Sequence, residues 1–141
     1  MIERPVDREA IVAATLKLLA YCRSHRWMGY DPYDALNSRV FQALPLRKSK
    51  IARLLLTQAL KRLPVNLRPL LAIPKSPNPK GIALFLSALI RLTGAGVIRE
   101  DGTIAALAEL LLGLRSPGER EFCWGYNFDW QNRGMLVPSG S

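Results

Sequence analysis

Apolar residues recur along this chain at three- and four-residue spacing, so the elements it predicts are helices. After Asp7, a plausible N-cap, Ile11, Thr15, Leu18 and Cys22 share one stripe, with Val12, Leu16 and Leu19 beside it. That pattern predicts a first helix ending near Ser24. A second is expected over roughly Ser49 to Arg62. There Ile51, Leu54, Leu55, Ala59, Leu60 and Leu63 fall at helical spacing, while Arg53, Gln58, Lys61 and Arg62 take the other side, and Pro64 ends the run. A third should occupy Gly81 to Thr93, stopped by Gly94 and Gly96. A fourth should follow the Asp101–Gly102 turn, from about Thr103 to Leu112, and stop at Gly113. Only Glu109 interrupts its apolar surface, so this last helix asks for neighbours around most of its circumference. No stretch sustains the two-residue alternation of a strand. The expected class is therefore all-α, built of antiparallel helical hairpins, with residues 1–141 as a single domain.

Three connections stand out. Residues 25–37 read HRWMGYDPYDALN, and residues 119–141 read EREFCWGYNFDWQNRGMLVPSGS. Loops of more than about 12 residues without regular structure are usually functional or disordered, and the aromatic content here argues against disorder. Residues 64–80 carry five prolines, at positions 64, 69, 74, 77 and 79, and are expected to form a stiff short-helix-and-turn crossing. No helix follows the last loop. Together with the nearly all-apolar fourth helix, this leads to the expectation that the chain is the N-terminal part of something larger.

Composition narrows the choices. Half the residues are hydrophobic, enough for a compact core. Twenty Lys and Arg against 11 Asp and Glu give a formal charge of +9, which favours an anionic partner. The basic residues are dispersed, however, without the dense tract that marks a nucleic-acid arm. The N-terminal MIERPVDREA has no apolar core and is not a secretory signal. The run Ile82 to Ile90 is far shorter than the ~20 residues of a membrane-spanning helix. Cys22 and Cys123 lie in unrelated contexts, and a reduced, cytoplasmic setting is the simplest expectation. With His25 the only histidine, neither a His-based metal site nor a Ser–His–Asp triad can be built from this chain, and no cofactor is expected.

The candidate chemistry sits in the two long loops. They hold all three tryptophans and three of the four tyrosines. Trp27, Tyr30, Asp31, Tyr33 and Asp34 stand in the first, and Trp124, Tyr126, Asn127, Asp129, Trp130 and Gln131 in the second. A pyranose lays its C–H face on an aromatic ring while Asp, Asn and Gln meet its hydroxyls. The expected substrate-binding residues are thus Trp27, Tyr30, Tyr33, Trp124, Tyr126, Asn127, Trp130 and Gln131, with an oligosaccharide or polysaccharide as partner. Asp31, Asp34 and Asp129 are the candidate acid–base carboxylates. Glycosidic chemistry needs such a pair about 5 Å apart when retaining and about 6.5–9.5 Å apart when inverting. The competing reading is structural: Asp31 before Pro32 makes a turn, Asp34 caps the short helix near Ala35, and the aromatics pack into the core.

Four strings carry a resemblance: residues 29–38 (GYDPYDALNS), 66–71 (NLRPLL), 78–81 (NPKG) and 124–131 (WGYNFDWQ). They resemble an uncharacterised bacterial family associated with polysaccharide-biosynthesis loci and with the six-hairpin glycosidase-like superfamily. The resemblance implies an (α/α) toroid whose end loops form a carbohydrate cleft. A non-catalytic helical scaffold in an assembly complex is the alternative, and nucleic-acid binding ranks last, because the aromatics travel with carboxylates rather than with basic residues.

Overall fold

The structure, a computed structural model, describes residues 7–141; residues 1–6 of the N-terminal stretch read above lie outside it. It is mainly helical, with α1 at Arg8–Ser24, α2 at Arg39–Gln42, α3 at Lys50–Arg62, α4 at Pro79–Gly94 and α5 at Asp101–Gly113. Caps set the boundaries. Asp7 accepts from the Ala10 amide at 3.1 Å and opens α1, and Ser49 accepts from Ala52 to open α3. Asn78 accepts from the Lys80 and Gly81 amides and opens α4 two residues earlier than expected, with Pro79 at the first helical position. Helix α5 likewise begins at Asp101 rather than after Gly102.

Helix α1 ends in a Schellman motif: the Trp27 amide donates to Cys22 O at 2.9 Å and the Arg26 amide to Arg23 O at 2.9 Å. The residue in the left-handed position is Arg26, at φ 51°, where α4 uses Gly96, at φ 68°, for the same motif. A side chain there is strained. Arg26→Gly is expected to stabilise the fold by up to about 1 kcal/mol, read as a higher urea midpoint with an unchanged slope.

Two apolar clusters form the core. Leu19 of α1 meets Ile82 and Leu89 of α4, Ile98 of the link, and Leu107 of α5, with Trp27, Phe85, Leu86, Leu110 and Leu111 around them. Arg23 reaches across to Glu100 and Thr103, tying the end of α1 to the start of α5. The second cluster joins Ala35, Leu60 and Ile73, flanked by Tyr30, Leu56, Leu67 and Leu71. Gly29 and Ser76 exchange two backbone hydrogen bonds of 3.1 Å and so pin the first loop to the proline-rich crossing. That crossing is a turn rather than a short helix: Ile73 donates to Arg68 O across Ala72, which sits at φ 50°.

Three further elements depart from the expectation. Asp34–Asn37 forms the short helix expected near Ala35, as a 3-10 turn, whereas α2 and a second 3-10 turn at Pro45–Lys48 lie outside the expected elements. The second long loop contains an antiparallel pair, β1 at Trp130–Gln131 and β2 at Leu136–Val137. Helix α5 is less enclosed than its sequence asks: Leu107 is buried, but Leu112 is 56% exposed. Ile11 and Leu18 on α1, Ile51 and Leu55 on α3, and Leu84 and Ile90 on α4 are exposed as well. Among the described residues no helix is long and apolar enough to cross a membrane.

Candidate functional site

The first loop is organised by one buried ion pair. Asp34 is 4% exposed, and Arg68 donates from Nε to its two carboxylate oxygens at 2.9 and 3.2 Å. The same guanidinium donates from Nη2 to Asp31 O at 3.0 Å. Asp34 also accepts from the Asp31 amide at 3.0 Å, so its carboxylate closes the 31–34 turn. Burial pushes the Asp34 carboxyl above its ordinary value, against the opposing pull of Arg68 and the Asp31 amide. Asp31 is engaged too: one oxygen accepts from the Tyr33 amide at 2.9 Å and the other from Asn78 Nδ2 at 3.1 Å.

Asn78 is therefore a junction. Its Oδ1 caps α4 and its Nδ2 holds Asp31, and it walls two open clefts at once. The first, of about 480 Å³, is lined by Trp124, Tyr126 and Trp130 together with Lys80 and Leu111. The second, of about 360 Å³, is lined by Trp27, Tyr30, Asp31, Asp34 and Asn127 together with Tyr21, Phe85 and Phe128. In the first cleft Tyr126 meets Trp130 edge-on at 6.2 Å and stacks on buried Phe128 at 5.2 Å. Trp124 is held by a 2.6 Å hydrogen bond from its indole to Leu111 O, yet it remains 38% exposed. In the second, Trp27 packs edge-on against Phe85. Asn127 donates to Ser76 Oγ, while its own Oδ1 is buried with no hydrogen-bond partner among the described residues.

Of the expected substrate-binding residues, Trp27, Tyr30, Trp124, Tyr126, Asn127 and Trp130 thus line one cleft or the other. Tyr33 and Gln131 do not. Tyr33 lies under Lys61, whose ammonium is 4.3 Å from the ring centre and also bonds its hydroxyl. Gln131 is buried, accepts from Arg53 Nε at 2.8 Å and donates to Asn132 O and Met135 O, so its amide is consumed in stitching the hairpin. The three candidate carboxylates do not converge either. Asp129 accepts from the Ser139 amide at 2.8 Å and faces a third cleft, beside Arg47, Lys48 and Arg53. Asp31 and Asp34 each hold a turn. Among the described residues no group of three His, Cys, Asp or Glu side chains is placed to hold a metal ion.

Asn78, Lys80 and Arg68 join the site without being among the expected site residues. An Asn-Pro pair at a helix start was the available signal for Asn78, since it places an N-terminus and its cap beside the loops. Lys80, two residues on, then falls in the first cleft.

Ser141 lines the first cleft beside Gly125, at the end of a segment, residues 138–141, that packs on that loop. The Gly140 amide donates to Tyr126 O at 2.8 Å, and a Cβ on Gly125 would meet the Ser141 carbonyl oxygen at 2.3 Å. Because the clash is with backbone, it cannot be relieved by a rotamer change. Gly125→Ala is expected to lift 138–141 off the cleft at a cost of about 1–3 kcal/mol, seen as faster hydrogen exchange at the Gly140 amide.

Compared with known proteins, the chain matches no protein-family profile, no curated protein and no solved structure.

Proposed function

We propose that this chain binds carbohydrate, an acidic oligosaccharide or polysaccharide in particular, across the two clefts that adjoin at Asn78. The observation that carries this is the placement of six residues of the two long loops, five of them Trp or Tyr, around two neighbouring open clefts. Exposed ring faces suit the C–H faces of successive sugar residues. Asn78, Asp31 and Ser76 offer hydroxyl partners at the second cleft. Lys80 at the first cleft favours an anionic sugar, in keeping with the +9 charge.

The proposal is for binding rather than bond cleavage. An acid–base pair must flank one bond, whereas Asp129 faces a different cleft from Asp31 and Asp34, and Asp34 is neutralised by Arg68. A toroid of helical hairpins is the proposed setting. The exposed apolar residues on α1, α4 and α5 support it, since neighbouring hairpins would cover them.

Those same exposed residues favour a second reading, a helical scaffold that docks on a protein partner. A glycan-array screen of the folded chain separates the two. Carbohydrate binding expects retention on acidic oligosaccharides that weakens with added salt. A folded chain retained by no glycan would leave the scaffold standing.

A further inference from the structure

We propose that the third cleft is an oxyanion site that takes a phosphoryl group, independently of the carbohydrate reading. It is a hollow of about 310 Å³ between the Pro45–Lys48 turn, α3 and the C-terminal hairpin, and Arg47, Lys48 and Arg53 converge on it. Among the described residues Asp129 is the only acidic one lining it, and one of its oxygens accepts from the Ser139 amide. None of the three cations is paired with a carboxylate among the described residues, where the ion pairs are Arg23–Glu100 and Arg68–Asp34.

Arg53 makes this a built site rather than a chance meeting of surface charges. Its Nε donates to buried Gln131 at 2.8 Å and its Nη1 to Arg47 O at 2.7 Å, so the guanidinium is clamped from both sides. Nη2 makes no hydrogen bond within the described residues, which leaves its two N–H donors for a ligand. A clamped guanidinium has already lost the rotamer freedom that a free arginine gives up on binding. Lys48 and Arg47 add two further positive charges beside it. Three cations against one carboxylate, half of it spent, match a dianion better than a carboxylate monoanion. The chemistry is shared by free phosphate and by the phosphate monoester of a larger molecule.

The test titrates the folded chain with inorganic phosphate, and separately with methyl phosphate, at constant ionic strength, following amide shifts of residues 42–53 and 129–136. Saturable one-to-one binding is expected. Arg47→Gln/Lys48→Gln should weaken it about tenfold or more. Lys17→Gln/Arg99→Gln, which removes the same charge elsewhere, should leave it within about twofold. Tighter binding of methyl phosphate would point to a phosphorylated molecule, and equal or weaker binding to free phosphate. Non-saturable shifts, or equal losses in the two charge-matched variants, would overturn the site and leave only diffuse attraction by the +9 charge. Neither result bears on glycan binding at the aromatic clefts.

Discussion

Replacing Arg68 with methionine is expected to destabilise the fold by about 3–5 kcal/mol at neutral pH. The side chains of Asp34 and Arg68 are 5% and 13% exposed, so the pair is largely withdrawn from water. Methionine fills similar volume but leaves the Asp34 carboxylate without its partner and Asp31 O without its donor. The loss should depend on pH. Burial already raises the Asp34 carboxyl, and removing Arg68 removes the main group that opposes the rise. A carboxyl raised in the folded state stabilises the fold at low pH, and that contribution is lost as pH rises through the folded value. The penalty of Arg68→Met should therefore shrink on acidification, as the stranded carboxyl takes up a proton. Urea denaturation across pH measures this, and Asp34→Asn/Arg68→Met should recover part of the neutral-pH loss. A flat, small penalty would mean that the pair contributes no more than a surface ion pair.

Trp124→Ala is expected to weaken glycan binding about thirtyfold, corresponding to about 2 kcal/mol of lost ring contact. Its indole is fixed by Leu111 O with one face open to the first cleft, so a sugar would meet a ring already in place. Tyr33→Ala and Asp129→Asn serve as internal contrasts. Both are candidates by sequence, yet Tyr33 lines neither aromatic cleft and pairs with Lys61, and Asp129 faces the third cleft. Calorimetric affinities for these two variants should stay within about twofold of the parent. Equal losses in all three would show that the loops act through general stability rather than through the clefts. A modest stability loss of about 1 kcal/mol from the missing Leu111 hydrogen bond is expected in Trp124→Ala alone.

Much of the helical framework is legible in the sequence because its signals are local. Asp7 and Ser49 each precede a helix where the pattern starts it and accept from its first amides, and Gly96 closes α4, whereas Asn78 opens α4 two residues ahead of the expected start. Helix α2 and the β1–β2 pair escape because four residues and two-residue strands are too short to show a period. Arg26 and Ala72 occupy left-handed positions that a sequence announces only when it places glycine there. The aromatic loops were readable as a cluster, since tryptophans and carboxylates crowd together in them. Which carboxylates face a cleft was not readable. The Arg68–Asp34 pair spans 34 positions, and its effect is to turn a candidate acid into the anchor of a loop. Gln131 was lost in the same way, to Arg53 at a separation of 78.

That the clefts on either side of Asn78 form one binding surface can be tested by titrating a uronic-acid hexamer into chain labelled with 15N at tryptophan. Trp124 and Trp130 report the first cleft and Trp27 the second. A single surface expects all three indole signals to shift along the titration with one dissociation constant. Shifts confined to Trp124 and Trp130, or no shift from a folded chain, would contradict it.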